Sequence, residues 1–218
     1  MQPLRLVPAS GSLEILCLGA HCDDIEIGCG GTLIELLATV PNVRVNWTVF
    51  SSDAVRAAEA REAARQVLGD RAVSIDVLEF RDGHFPYVGS EIKECFESIK
   101  QRVRPDLVFT HWLSDRHQDH RTIGELTWNT FRNHLILEYE IPKYEGDLGN
   151  PNLLVPLSEQ ALAKKIATIR GAFVSQREKS WFSESTFRSL ARLRGIECNA
   201  PSGYAEAFHC RKTTIAFP

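Results

Sequence analysis

The chain has 218 residues, of which 44% are hydrophobic and 24% are charged, with a formal net charge of −3 at pH 7. This composition is typical of one globular domain with its own core, and the weak charge excludes a basic surface for nucleic acid or anionic lipid. The first twelve residues lack the long apolar core of a signal peptide, and no apolar run reaches the roughly 20 residues that span a bilayer, so we expect a cytoplasmic protein without a membrane segment.

Strand-like and helix-like segments alternate through the first part of the chain. Strands are predicted over residues 13–18, 43–50, 73–80 and 107–110. Helices are predicted over residues 32–40 and 90–103. Another is predicted to end at about residue 68 and to be capped by residues 51–53, and a fourth follows the fourth strand and ends at about residue 134. This alternation predicts a Rossmann-like α/β fold, in which a doubly wound, mostly parallel sheet carries helices on both faces.

Beyond residue 134 the alternation weakens. Residues 135–156 are predicted to form a strand followed by a long surface loop, because prolines and glycines recur there beside acidic and aromatic residues. One or two helices are predicted between residues 158 and 194, and a short final strand over 204–210. No repeat or linker is visible, so we expect one domain over residues 1–218.

Two polar clusters follow two of the predicted strands. His21-Cys22-Asp23-Asp24 comes after the first strand, and His117-Gln118-Asp119-His120 comes in the loop after the fourth. In a doubly wound sheet of order 3-2-1-4-5 these two strands are neighbours, and ligands bind in the crevice at their carboxyl ends. The two clusters are therefore predicted to meet in one crevice.

The residue types in these clusters are typical of a catalytic metal site. Two histidines and one carboxylate leave an open position on a tetrahedral zinc ion, whereas a structural site would be closed by four protein ligands. Asp23 and Asp24 are adjacent, so one can bind the metal while the other takes a proton from an attacking water. Asp119, between two histidines, can orient one of them by a hydrogen bond.

The segments LGAHCDDIEIGCGGTL and HQDH resemble the two motifs of the PIG-L/LmbE-like deacetylases. That family includes enzymes that act on N-acetylglucosaminyl phosphatidylinositol and on the glucosaminyl conjugates of mycothiol and bacillithiol biosynthesis. The resemblance extends from about residue 13 to the AEAF segment near residue 208. Glu206 lies in this segment and resembles the family there, but the resemblance implies no role for it. In the first motif, Gly28, Gly30 and Gly31 follow the family pattern and are predicted to let the first helix pack closely against the sheet.

The resemblance implies a role for each polar residue of the two motifs. Three of them would be zinc ligands: His21, Asp24 and His120. Asp23 would be the general base, and His117 would stabilise the oxyanion or protonate the leaving amine. Asp119 would tune its neighbouring histidine. The donor set also accepts other divalent metals such as Fe²⁺, Co²⁺ or Mn²⁺.

The six cysteines form no CxxC pair and no regular framework, so we expect reduced thiols. One of them is the single departure from the family motif, because Cys22 stands where the family usually has proline. A thiol there is a potential zinc ligand, but we expect it to fill the place of the proline without a catalytic role.

Several residues near the motifs have two interpretations. Arg56, after the second strand, and Asp82, after the third, are predicted to bind substrate, although Arg61 is an alternative to Arg56 and Asp82 also suits a turn. His111 and Trp112 either line the pocket or close the end of the fourth strand. Four residues after the fifth strand either form a rim for the sugar or belong to a solvated loop: Tyr139, Glu140, Tyr144 and Glu145.

The predicted function is a metal-dependent hydrolase that removes the acetyl group from an N-acetylglucosamine-type amino sugar or its conjugate, releasing acetate and a free amine. The loop over residues 138–156 is expected to select the group attached to the sugar, and family resemblance makes a homo-oligomer plausible. Two alternatives stay open: a non-catalytic sugar- or metal-binding protein on the same fold, and a Rossmann-like transferase. The transferase is disfavoured because the turn after the first strand is acidic and would repel a phosphate.

Overall fold

A computed structural model of the chain describes residue 6 and residues 11–214. The prediction about the first twelve residues therefore falls almost entirely outside the described part. Within that part, no helix combines the length and apolar character that crossing a bilayer requires.

The described residues form one sheet of seven strands with six α-helices. The strands are β1 (Leu13–Gly19), β2 (Val43–Ser51), β3 (Ala72–Phe80), β4 (Leu107–His111), β5 (Leu135–Tyr139), β6 (Leu153–Leu157) and β7 (Tyr204–His209). The helices are α1 (Asp24–Thr39), α2 (Ala54–Leu68), α3 (Gly89–Arg102), α4 (Gln118–Thr130), α5 (Glu159–Ala172) and α6 (Glu184–Glu197).

The strand order is β3-β2-β1-β4-β5-β7-β6. The first five strands in this order are parallel, and β7 runs antiparallel to both β5 and β6. The predicted order 3-2-1-4-5 and the doubly wound α/β fold are thus confirmed. The carboxyl ends of β1 and β4 lie side by side, which is where the two polar motifs begin.

The central strand β1 is buried on both faces because helices cover both sides of the sheet. Ile15 and Cys17 face one core, built with α1, α2, α5 and α6, whereas Leu16 and Leu18 face a second core, built with α3 and α4. A strand covered in this way needs a nearly continuous apolar run, and LEILCL, with the partly buried Glu14 as its one charged residue, provides it.

Helix α1 begins at Asp24, eight residues before the start predicted from the sequence. Several glycines in one motif are typical of a loop, but here they lie in α1 and allow it to pack closely on the sheet. A Cβ at Gly28 would overlap the ring of Tyr139 in β5, and one at Gly31 would lie 2.6 Å from Leu157 Cδ1. The predicted packing role is confirmed at these two positions. At Gly30 a Cβ would meet side-chain atoms of Lys165 and Glu26 only at ordinary van der Waals distances, the nearest being Lys165 Cγ at 3.6 Å.

The prediction of an uninterrupted loop between β5 and residue 156 is wrong, because β6 forms within it. This short strand pairs only with β7, about fifty residues further along the chain, at the edge of the sheet. Its half-exposed residues and Pro156 give no clear alternation, so its sequence carries little strand signal. One or two helices and a final strand were predicted after residue 158, and the structure has two helices, α5 and α6, and the strand β7.

Candidate active site

Three side chains from the two motifs meet where β1 and β4 end. His21 lies in the turn after β1, Asp24 opens α1, and His120 lies in the first turn of α4. His21 Nδ1 is 3.1 Å from His120 Nε2 and 3.4 Å from Asp24 Oδ2, and His120 Nε2 is 3.6 Å from the same carboxylate oxygen. The backbone N–H of His21 also donates to Asp24 Oδ2, at 2.6 Å, and fixes this oxygen in the turn.

The spacing of these three atoms fits a tetrahedral metal ion. Ligand atoms about 2.0–2.1 Å from zinc lie about 3.3 Å apart in a regular tetrahedron, close to the three separations seen here. All three side chains are buried. Nitrogen and carboxylate donors of this kind suit zinc, and three of them leave one position open.

The second nitrogen of His21 faces two carboxylates. His21 Nε2 is 3.3 Å from Asp119 Oδ2 and 3.0 Å from Asp82 Oδ1. Asp119 is fully buried and also accepts hydrogen bonds from the N–H groups of Gly83 and Phe85. Burial alone would raise the pKa of Asp119, but these bonds and His21 lower it. The carboxylate of Asp119 thus contacts a histidine of the other motif, His21.

His120 is oriented by Asp115, a residue that the sequence analysis did not single out. Asp115 Oδ2 is 2.9 Å from His120 Nδ1, and Asp115 Oδ1 accepts the backbone N–H of His117 at 2.8 Å. Burial would raise the pKa of Asp115, but His120 and the nearby Lys143 hold it well below its usual range. At zinc sites a carboxylate commonly accepts a hydrogen bond from the second nitrogen of a ligating histidine. An acidic residue just before HQDH was therefore the feature of the sequence from which Asp115 could have been predicted.

His111 is buried beneath the site, so it does more than close β4. Its ring stacks on His120 with centroids 3.9 Å apart, and its Nε2 lies 3.1 Å from Asp24 Oδ2. The same nitrogen accepts the backbone N–H of Ala20 at 2.9 Å, which occupies its lone pair. The Nε2 lone pair of His111 is therefore engaged by the turn after β1 and is not free for an ion, although Asp24, His111 and His120 lie close enough together to form a donor set.

Asp23 points away from Asp24 and pairs with Arg56. The guanidinium of Arg56 donates to Asp23 Oδ1 at 3.0 Å, whereas Asp23 Oδ2 is buried and has no hydrogen-bond partner in the described structure. Burial raises the pKa of Asp23 despite the opposing effect of Arg56. Arg56 and Asp82 were both predicted to bind substrate. Arg56 is engaged with Asp23, its Nη1 lies 4.0 Å from Asp82 Oδ2, and the substrate contact of both residues stays a prediction.

His117 precedes α4 and caps it. Its Nδ1 accepts the backbone N–H of Asp119 at 3.3 Å, so in the neutral ring Nε2 carries the proton. The ring centroid lies 4.8 Å from that of His21 and 4.7 Å from that of His120. His117 therefore presents a hydrogen-bond donor beside the three candidate ligands.

Other residues noted in the sequence lie outside this constellation. The Cys22 thiol donates to the carbonyl oxygen of Ser51 at 3.3 Å, and burial raises its pKa to about 12, so it is a poor ligand. Trp112 stacks face to face on His209 at 4.3 Å. Glu206 accepts the N–H groups of Gly31 and Thr32 in α1 and pairs with Lys165, which is a structural role.

The four predicted rim residues separate into two buried and two loop positions. Tyr139 is buried and donates to the carbonyl oxygen of Leu18 at 2.6 Å, and Glu140 is buried in a two-bond pair with Arg194. Tyr144 is 72% exposed, and Glu145 is exposed beside it. For Tyr144 and Glu145, a rim for the sugar and a solvated loop both stay predictions.

Comparison with known families gives one match, to the family described as PIG-L: GlcNAc-PI de-N-acetylase, over residues 16–131. Diacetylchitobiose deacetylase of Thermococcus kodakarensis is 28% identical over 134 residues. That alignment covers 55% of this chain and 49% of the relative, so the chain matches about half the length of that enzyme.

Solved structures share the fold at lower identity. N,N'-diacetylchitobiose deacetylase of Pyrococcus horikoshii superposes with a TM-score of 0.67 at 24% identity, covering 93% of this chain and 85% of that one. GalB, the 4-carboxy-2-hydroxymuconate hydratase of Pseudomonas putida, superposes with a TM-score of 0.73 at 16% identity, covering 94% and 99%. Because this fold hosts both a deacetylase and a hydratase, the reaction must be argued from the site.

Proposed function

Since the chain belongs to the PIG-L family of GlcNAc-PI de-N-acetylases, we propose that it is a zinc-dependent hydrolase that removes the acetyl group from an N-acetylglucosamine-type amino sugar or its conjugate. The products are acetate and the free amine. One observation supports this most directly: three potential ligand atoms lie 3.1–3.6 Å apart beside a buried aspartate, Asp23, whose Oδ2 has no partner in the described structure.

His21 Nδ1, Asp24 Oδ2 and His120 Nε2 would hold the ion. When bound, zinc supplies a Lewis acid that polarises the acetyl carbonyl and acidifies the attacking water. The carboxylates behind the histidines, Asp119 at His21 and Asp115 at His120, keep each ring in place and direct the other nitrogen towards the ion.

Asp23 acts as the general base. Its free Oδ2 takes a proton from water as the water oxygen attacks the carbonyl carbon of the acetamide. Arg56 holds the other oxygen, so the carboxylate cannot rotate away from the water. This gives Arg56 a role in positioning the base, in addition to the predicted contact with substrate.

His117 stabilises the negative charge that develops on the carbonyl oxygen. The Nε2–H of its neutral ring donates a hydrogen bond to that oxygen. The carbon–nitrogen bond then breaks, and the amine nitrogen receives the proton that the water lost. Water and amide thus become acetate and amine with no other reactant.

We extend the proposal to the surroundings of the site. The loop between β5 and β6, with the exposed Tyr144 and Glu145, selects the group attached to the sugar. Asp82, whose Oδ1 lies 3.0 Å from His21 Nε2, also binds the substrate. The chain is proposed to act as one domain over residues 1–218 in the cytoplasm, on a small-molecule substrate, with self-association possible.

The test is to incubate zinc-loaded protein with a panel of N-acetylglucosamine conjugates and to measure acetate and free amine together. A deacetylase releases both in equal amounts, and the Asp23→Asn variant with the same zinc content releases neither at a comparable rate. A protein that binds zinc and sugar but releases no acetate from any conjugate would be a binding protein, and the proposal would fail.

A further inference from the structure

The loop over residues 140–152 carries a buried lysine that reaches towards the metal site. The side chain of Lys143 is only 9% exposed, and its Nζ lies 2.9 Å from Asp115 Oδ2. The same ammonium lies 2.8 Å from both carboxylate oxygens of Asp147, in the same loop. A buried ammonium between two carboxylates is a costly arrangement to assemble, and it holds its partners firmly once formed.

Asp115 connects this lysine to the candidate ligand His120. The oxygen that contacts Lys143 also lies 2.9 Å from His120 Nδ1, and the other oxygen accepts the backbone N–H of His117. Asp147 closes the arrangement by accepting the backbone N–H of Arg116 at 2.6 Å. The loop after β5 and the loop before α4 are therefore joined through one continuous network that ends on a metal ligand.

We propose that Lys143 is a positioning residue that couples loop 140–152 to the metal site through Asp115 and His120. A metal ion on His120 Nε2 strengthens the bond from Nδ1 to Asp115 and so draws the loop into place. An ordered loop, in turn, holds Asp115 and His120 in the geometry that binds the metal, because coupling between two sites is reciprocal.

The coupling rests on the proposed function, because it requires a metal at His21, Asp24 and His120. It adds that the loop expected to select the substrate is ordered fully only when the metal is bound. A second anchor of the loop, Arg194, does not reach the metal site. Arg194 in α6 binds Glu140 in a two-bond pair and donates to the carbonyl oxygen of Gly149 at 3.1 Å, so it fixes both ends of the loop independently of His120.

The test compares the full-length wild type with Lys143→Gln, Lys143→Arg and Lys164→Gln, the last of which changes an exposed lysine on α5. Zinc affinity is measured by competition with a chelator, and hydrogen exchange of residues 140–152 is measured with and without zinc. Loss of the direct partner of a ligating histidine costs about 10–100-fold in metal affinity, and Lys143 acts one contact further out, through Asp115. We therefore expect Lys143→Gln to bind zinc more weakly by up to about 10-fold and to lose the protection of the loop by zinc. Lys143→Arg should recover most of both effects, and Lys164→Gln should match the wild type.

Wild-type zinc affinity in a folded Lys143→Gln variant, with zinc still protecting the loop, would overturn the coupling and leave the proposed function intact. Failure of the wild type itself to bind zinc would overturn the proposed function. If Lys143→Gln does not fold, Asp147→Asn provides the test, because it keeps the ammonium on Asp115 but weakens its hold on the loop. Zinc-dependent loop protection equal to that of the wild type in Asp147→Asn would also overturn the coupling.

Discussion

Asp23 and Asp24 are adjacent in the sequence, yet their surroundings differ in ways that suit different tasks. Asp24 is surrounded by the imidazoles of His21, His111 and His120, which hold its pKa well below the usual range although burial alone would raise it. Among the residues that the structure describes, Asp23 faces the guanidinium of Arg56 and keeps one oxygen without a partner. A negative oxygen among imidazoles suits a ligand, whereas a buried, unpartnered oxygen suits a base.

The Asp23→Asn change tests this division at a single residue. The amide keeps the shape of the side chain but cannot take a proton, so kcat should fall by about 10²–10⁴-fold, the usual contribution of a general base. Zinc content, measured by elemental analysis, should equal that of the wild type because Asp23 is not among the proposed ligands. Wild-type turnover at equal zinc content would show that another group accepts the proton.

Two roles are proposed for Arg56, positioning the base Asp23 and binding the substrate, and kinetics of one variant can separate them. The Arg56→Met change removes a charged hydrogen bond worth about 1.5–3 kcal/mol, so a role on Asp23 predicts a kcat lower by about 10–100-fold with little change in KM. Arg61→Met, in the same helix, is the matched control and should leave both constants near their wild-type values. A higher KM with unchanged kcat in Arg56→Met would return Arg56 to the substrate-binding role alone.

At the scale of elements, α1 is held to the sheet by the absence of side chains at two glycines. The Gly28→Ala change forces a methyl group into the ring of Tyr139 and should destabilise the protein by about 1–3 kcal/mol, the usual cost of overpacking. Gly30→Ala is the matched control in the same helix, because its Cβ has room and alanine favours a helix by up to about 1 kcal/mol. Urea denaturation measures both. Equal losses at the two positions would mean that close packing is not the reason for the glycine at 28.

For the whole molecule, metal binding and folding should be linked. Zinc at about 100 times its dissociation constant adds about 2.7 kcal/mol to the free energy of unfolding, if it binds only the folded chain. For a domain of this size that corresponds to a rise of about 5–10 °C in the melting temperature. The His120→Ala variant should lose this rise while keeping a cooperative transition. A zinc-dependent shift of normal size in His120→Ala would place the ion elsewhere.

The sequence predicted the parts of the molecule that depend on periodic patterns and on strong motifs. The five parallel strands follow from apolar runs of the right length, and the meeting of His21 with His120 follows from the order of β1 and β4. The start of α1 was placed too late because glycine disfavours a helix locally, and here tertiary packing outweighs that preference.

Contacts between irregular loops could not be predicted in the same way. Asp115 and Lys143 are 28 residues apart and lie on loops with no periodic pattern, so only their three-dimensional arrangement identifies them as partners. The strand β6 was missed for a related reason, because it depends on pairing with a distant strand more than on its own residues.

That pairing has a consequence for how the protein is made on the ribosome. All three proposed ligands have been synthesised once residue 120 is added, and β1, β2, β3 and β4 can pair once this part of the chain has left the ribosome. By contrast, β6 has no neighbour in the sheet until β7 is translated, and the segment carrying Lys143 lies between β5 and β6. A nascent chain can therefore bring its proposed metal ligands together early. The loop between β5 and β6, which we propose selects the substrate, takes its final place only among the last steps of synthesis.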